Sequence, residues 1–535
     1  TRVDGPGCST CGVGDIEYTY NNLLQLVQAT AKDGLVKINK FDEMGRRVSY
    51  TELVNGKQKT QIHYEYTGDN YYPDRIIQPS VNPKGSHVIE YTYNNQGQVL
   101  DITEKGYRPE IHGAYKKIER SVNLAYKKGL LVKMDGPRDD VKDIQLFHYN
   151  KHNELIEVKR PHGIIERILA YDDYRRPVKI QYNNQIPLEL EYDVAGNIVS
   201  VKQGKRIIRF AYNKIAKLES VTDAAGIGYS IEYDNAARPY AIRDKQNNSY
   251  IIKWDTEGNE TRQATYNAAG HLVKTIAYIY DASNRLEGIV SADGRLVEQN
   301  KYNRLGRLIE NTKKAGVSTK YTYGQYGNIQ AITTASRQKT QYRYDIKSHV
   351  TGVVDSNGNE TKYLYDDFNN LVLVNSPDSG ISRYEYDSGG NVISKTDAKN
   401  QLTKYSYDAN DNLIRKTASN KTIKYYYHDG NIVKIIGDDN EEYYAYNQYA
   451  QLIGHKRIID GYKFISYYQY DELTGRLIEK TLPDKQRLRY HYDSQTGKLR
   501  AITRKDFIGQ TAILGELAYQ PFGPVKSYIH GNGIK

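Results

Sequence analysis

The chain has 535 residues, with 75 Lys and Arg against 64 Asp and Glu and a net charge of +11. Its 52 Tyr far outnumber 7 Phe, 1 Trp and 2 Met, and hydrophobic residues make up only 39%, which excludes an ordinary mixed apolar core. Scarce Pro (14) with abundant Tyr and β-branched residues excludes a disordered chain. No apolar run approaches the ~20 residues of a spanning helix, and the interleaved charges form no like-sign block of the kind that marks a nucleic-acid-binding tail.

Positions 1–15 read as an entry segment containing Gly and Cys. Cys8 and Cys11 stand in a Gly-rich turn. A zinc site would need two further ligands and a thioredoxin-like role a βαβ context; a local disulfide or two free thiols remain open. The chain starts at Thr1 without a signal-peptide pattern, and is expected to be an interior piece of something longer.

From position 16 a repeat takes over. Tyr20, Phe41, Tyr66 and Tyr93 mark N-terminal units over 16–106. The interval 107–145 breaks the pattern and reads as an irregular insertion, a helix or a long loop. The main array spans 146–500. There Tyr171, Tyr192, Tyr212, Tyr233 and Trp254, and then Tyr280, Tyr302, Tyr323, Tyr344, Tyr365, Tyr386 and Tyr407, recur about every 21 residues, with a shortened unit between Trp254 and Tyr280. Residues 501–535 are a terminal segment.

Each unit carries the same chemistry. Tyr384 to Val392 reads Tyr-Glu-Tyr-Asp-Ser-Gly-Gly-Asn-Val, and Leu190 to Ile198 reads Leu-Glu-Tyr-Asp-Val-Ala-Gly-Asn-Ile. Alternation before the Asp reads as a strand. The Asp can accept hydrogen bonds from nearby amides, and Gly supplies the positive φ of a tight reversal. The apolar residue after it opens a return strand, so each unit is a β-hairpin. The repeat anchors are Tyr192, Asp193, Gly196, Tyr302, Gly306, Tyr365, Asp366, Tyr386, Asp387, Gly390, Tyr407 and Asp408.

The recurring Asp sits at a strand–turn junction, which assigns it to Asx turns rather than to a row of catalytic acids. The Tyr rows read as cross-strand packing pairs rather than as stacking platforms. The sequence has no phosphate loop, no His-Glu-x-x-His and no Gly-x-Ser-x-Gly elbow. No catalytic, cofactor or metal residue is assigned, and no cofactor is expected.

The unit resembles the YD repeat of the Rhs family, which includes bacterial polymorphic toxins, the C component of insecticidal toxin complexes, wall-associated proteins and teneurins. The resemblance covers residues 16–530, and Tyr519 to Pro524 with Tyr528 to Gly533 resembles the entry to the Rhs core. It implies a β ribbon wound as a spiral shell, which in the toxin members encloses a C-terminal toxic domain, and secretion or surface display. The chain reaches Lys535 before the family's Asp-Pro-x-Gly element, so self-cleavage is not carried over to any residue here.

The expected fold is therefore all-β: tandem antiparallel hairpins forming a long sheet coiled into a spiral shell or hollow cage. About 44 strands at ~4.8 Å make a ribbon about 210 Å long, well past the ~10 strands at which open sheets curl or split. The expected role is a non-enzymatic shell or scaffold, secreted or at a cell surface and bacterial, whose partner is its own C-terminal domain or another encapsulated polypeptide, with secretion machinery as a further partner. The alternative is an extracellular adhesion module that binds carbohydrate or protein through its outer face. Neither a membrane span nor nucleic acid is expected.

Overall fold

A computed structural model describes residues 2–3, 16–31, 34–110, 113–324, 326–505 and 509–535. Cys8 and Cys11 lie outside the described residues. Among those described there are 47 strands, two three-residue 3-10 turns (Pro161–Gly163 and Lys314–Gly316) and no α-helix. Consecutive strands pair antiparallel, as the short polar turns between them dictate.

The hairpin ending at Tyr386 shows how the sequence builds a unit. Strand Gly380–Tyr386 pairs with Val392–Thr396 through Arg383↔Thr396, Tyr384↔Lys395, Glu385↔Ser394 and Tyr386↔Val392, with a register shift just before the Tyr. The same shift precedes Tyr192, Tyr302, Tyr365 and Tyr407. A bulge bends a strand and increases its twist, so each hairpin is turned at the same point. Gly390 closes the reversal at φ +91, and Gly196, Gly306 and Gly327 have φ of +89, +74 and +84. Glycine is not obligatory there: Ala237, Asn369 and Asp411 hold the same place at φ 59, 66 and 61.

The interval 107–145, irregular in sequence, is also built of strands. Val99–Pro109 pairs with the 13-residue Tyr115–Lys127, which pairs with Leu130–Asp135. The first two of these strands are long, at 11 and 13 residues, and end without the Tyr-Asp-x-x-Gly signature, so they stretch the period instead of breaking the sheet.

The chain divides into two compact units. Unit 1 is Thr1–Leu146 with Tyr278–Asn420, and unit 2 is Phe147–Ala277 with Lys421–Lys535. In each, the ribbon runs through twice. Buried apolar residues are few among those described: Val54, Val158, Ala241, Ala264, Ala331 and Val372. Sheet hydrogen bonds and half-buried Tyr take the place of a layered core.

Candidate functional site

The recurrent site is the hairpin end. Asp193 Oδ1 accepts the amides of Ala195 (2.9 Å) and Asn197 (2.8 Å), and Oδ2 accepts Asn197 Nδ2 (2.9 Å). These donors, the Asn197 side chain foremost, hold the Asp193 carboxyl below the usual carboxylate range. Asp366, Asp387 and Asp408 repeat the cradle with Asn370, Asn391 and Asn412. Asp366 is 3% exposed, and burial, the foremost cause, pushes its carboxyl up instead.

The Tyr before each Asp ties its hairpin to the preceding one. The Tyr192 hydroxyl donates to the carbonyl of Pro177 (2.9 Å), Tyr302 to Leu286 (2.8 Å), Tyr386 to Leu371 (2.8 Å) and Tyr407 to Val392 (3.0 Å). Burial, with the Asp366 charge second, pushes the Tyr386 phenol up to about 12. Trp254 takes the same place and donates Nε1–H to the Pro239 carbonyl at 2.9 Å. A donor at the ring's far end thus favours Tyr or Trp over Phe at this place, in keeping with the lopsided aromatic composition, and Phe41 before Asp42 is an exception that keeps the bulge and the Asp cradle without the tie. Arg176 bonds the Asp193 carbonyl (3.3 Å) and lies 4.4 Å over Tyr192, while Arg285 covers Tyr302 at 4.8 Å and His349 stacks on Tyr365 at 4.7 Å. Arg and His thereby strap one repeat to the next.

A second kind of site joins the two segments of each unit. In unit 1, Asp367 is fully buried. It accepts Ser80 Oγ (2.6 Å) and the amides of Val81 (2.8 Å) and Tyr107 (2.8 Å), and its own amide donates to the Tyr107 carbonyl (2.9 Å). Lys347 Nζ sits 3.1 Å from the carboxylate and donates to the Asp367 carbonyl at 2.8 Å. Gly106 has no side chain because a Cβ there would overlap that of Asp367. Alongside, His87 meets Glu104 at 2.7 Å, and Arg120 bonds Glu104 at 2.6 Å and covers Phe368 at 4.5 Å. Further on, Arg138, 5% exposed, reaches Asp387 (3.2 Å), Asp411 (3.3 Å) and the carbonyls of Tyr407 and Asp408. It gathers Asp387 and Asp408, whereas the other anchors stay one per hairpin.

In unit 2 the joints are different. Ile186 N–H donates to the Gln448 carbonyl (3.1 Å). Arg206 bonds Gln451 (2.6 Å) and lies 3.6 Å over Tyr449, Arg476 meets Asp223 (3.3 Å), and Lys205 pairs with Glu472. Partners are 260–287 residues apart in the Asp367 joint and 245–267 apart at Arg206 and Lys205.

The sequence reading missed Ser80, His87, Arg138, Lys347 and Asp367. The one local signal is the doublet Asp366-Asp367, which puts a second carboxylate where the repeat has a variable residue. Among the described residues no group of three His, Cys, Asp or Glu could hold a metal ion, and no helix is long and apolar enough to cross a membrane.

No curated protein matches the sequence. Among solved structures, the chain is similar to TcdB2-TccC3 (TM-score 0.70, 14% identity, 96% of this chain and 36% of that one) and to TcdB2-TccC3 without its hypervariable C-terminal region (0.69, 13%, 96% and 37%). It is also similar to the Photorhabdus luminescens Tc holotoxin pore (0.55, 14%, 97% and 32%). The chain spans about a third of the length of these structures, and the likeness shows a shared fold. A family model described as the teneurin YD-shell matches residues 147–262, 229–383 and 379–514. With the Tyr tie and Asp cradle recurring through the matched residues, the chain belongs to the teneurin YD-shell family.

Proposed function

We infer that this YD-shell scaffold is a passive wall that encloses or presents another polypeptide, its own C-terminal domain foremost. The observation that carries the reading is the fully buried Asp367 joint, where segments far apart in sequence close against each other through backbone amides. At that line the Asp367 amide also donates to the Tyr107 carbonyl (2.9 Å), so the two segments are held backbone to backbone. Secretion or surface display suits the role, because a wall separates its contents from the cell that makes it. The wall needs no catalysis of its own: its repeated carboxylates are engaged by turn amides and do not converge with a base and a nucleophile. The purified chain is expected to leave nucleic acid, peptide and glycan substrates intact.

The test is an unstructured, protease-sensitive segment joined after Lys535 and exposed to a non-specific protease. The segment is expected to survive protease levels that degrade it on an unrelated carrier. Digestion at the carrier's rate would remove the enclosing role.

A further inference from the structure

The Asp367 joint of unit 1 has a histidine at its edge. His87, 5% exposed, lies on strand Ser86–Tyr93. Its Nε2 is 2.7 Å from Glu104 Oε1, and its Nδ1 is 3.3 Å from Lys347 Nζ, which comes from the other segment of the unit. A lysine ammonium carries three N–H donors and no acceptor. Those of Lys347 meet three acceptors: the Asp367 carbonyl at 2.8 Å, the Asp367 carboxylate at 3.1 Å and His87 Nδ1. Nδ1 therefore holds a lone pair, and the ring's single proton sits on Nε2, donated to Glu104. The other groups around the ring are already engaged. Glu104 is bonded by Arg120 (2.6 Å), whose guanidinium covers Phe368, and the Phe368 ring lies 6.1 Å from the imidazole. Gln78, the register partner of His87 on strand Arg75–Pro79, carries no charge. Lys105 and Arg75 pair with Glu90, and Asp366 is turned onto the amides of its own hairpin.

We propose that His87 is an acid-sensitive latch: a proton on its Nδ1 opens the joint between the two segments of unit 1. An Nδ1–H would point at the Lys347 ammonium where a lone pair now accepts from it, and two positive groups would share a site away from water. Glu104 offsets this little, because Arg120 already matches its charge. Lys347 cannot become an acceptor, so relief comes by its leaving, and with it go the contacts by which it holds Asp367. Imidazole is the side chain whose charge changes between pH ~5 and ~8. Because the joint fits the neutral ring, the ring's contribution is present at the upper end of that range and is lost as pH falls. His349, in the same segment as Lys347, works in the opposite sense: its Nδ1 is 2.9 Å from the Asp345 carboxylate, so its protonation completes an ion pair. The unit 2 joints at Ile186, Arg206, Arg476 and Lys205 use no histidine, which confines the latch to unit 1. It belongs to the joint itself and does not depend on what the wall encloses.

The test is peptide-resolved hydrogen exchange on the 535-residue chain at pH ~8 and ~5, corrected for the intrinsic pH dependence of exchange. Peptides covering 80–107 and 345–368 are expected to lose protection together, at least tenfold, at the lower pH, while unit 2 peptides spanning its joints change less than threefold. His87→Gln keeps an Nε2 donor toward Glu104 and gains no proton in this range, and its protection is expected to be the same at both pH values. His349→Gln is expected to keep the full response. Lys347→Met removes the opposing ammonium and is expected to invert the response, with protection higher at the lower pH. Should that variant fail to fold, NMR of the 15N-histidine-labelled chain, with the His87 signals assigned by their absence from His87→Gln, reads the ring directly. The neutral Nε2–H form is expected at pH ~8. Unchanged protection in the parent chain, an equal acid response in His87→Gln or Lys347→Met, or a ring that is Nδ1–H or doubly protonated at the higher pH would overturn the proposal.

Discussion

Units 1 and 2 are made of the same hairpin but bury the joints between their two segments to different depths. Unit 1 uses buried groups: Asp367 is fully enclosed and Arg138 is 5% exposed, each with several partners. In unit 2 the joints range from Arg476 and Asp223, with side chains 26% and 27% exposed, to Lys205 and Glu472, 68% and 69% exposed, and none of these groups is enclosed as Asp367 is; each unit also leaves an open cleft between its segments, beside Gln246 and Lys498 in unit 2 and beside Gln58 and Tyr342 in unit 1. Exposed pairs gain little because water screens them, whereas a buried charge that loses its partner is left in a medium that penalises it. A repeat that is uniform along its length can thus be locked in one place and loose in another, by substitutions outside the repeat signature.

Alkali should erase the difference, with the largest effect. Tyr386 and Tyr93 in unit 1 are each pushed up to about 12, and Tyr446 and Tyr470, which make the same tie in unit 2, are also pushed up, with burial the foremost cause throughout. A phenol raised in the folded state above its unfolded value of ~10 contributes stability that is present below pH ~10 and lost as pH rises toward the folded value. Both units are expected to unfold together between pH ~10 and ~12, with tyrosinate absorbance and circular dichroism changing in step. Ionisation without loss of β signal would contradict the Tyr tie. On the acid side, turn carboxylates such as Asp193 and Asp234 are held low, by side-chain and backbone hydrogen bonds respectively. They stabilise above pH ~4, and that contribution is lost as pH falls through their depressed values, while Asp366, pushed up by burial, works in the opposite sense.

Asp367→Ala should sharpen the difference. It leaves Lys347 beside an empty position and is expected to cost about 3–5 kcal/mol in denaturant unfolding, with hydrogen exchange rising in unit 1 first. Gly390→Val places a β-branched residue at φ +91 and is expected to cost about 1–3 kcal/mol, more than Ser388→Ala. Tyr386→Phe removes one hydroxyl–carbonyl bond and is expected to cost about 1 kcal/mol. Lys205→Ala is expected to leave the unfolding midpoint unchanged.

The hairpin was legible in the sequence because each of its causes is local. Asp193, its acceptor geometry and Gly196 lie within four residues, and the Tyr period repeats often enough to stand out. The joints were not legible: Ser80 and Asp367 are 287 residues apart, and neither occupies a repeat position. The strands of 107–145 were hidden for the converse reason, since Tyr115–Lys127 alternates like any strand but ends without the turn signature. Ala237 at φ 59 shows that the turn tolerates residues a Gly-based reading passes over.

The central claim is that distant segments of the ribbon are locked together as one wall. Peptide-resolved hydrogen exchange on the chain and on Asp367→Asn tests it most directly. The amides of Val81 and Tyr107, which donate to Asp367, are expected to exchange slowly in the parent chain. In the variant, peptides covering 80–107 and 345–368 are expected to lose protection together. Loss of protection confined to 345–368, with 80–107 unchanged, would contradict the account.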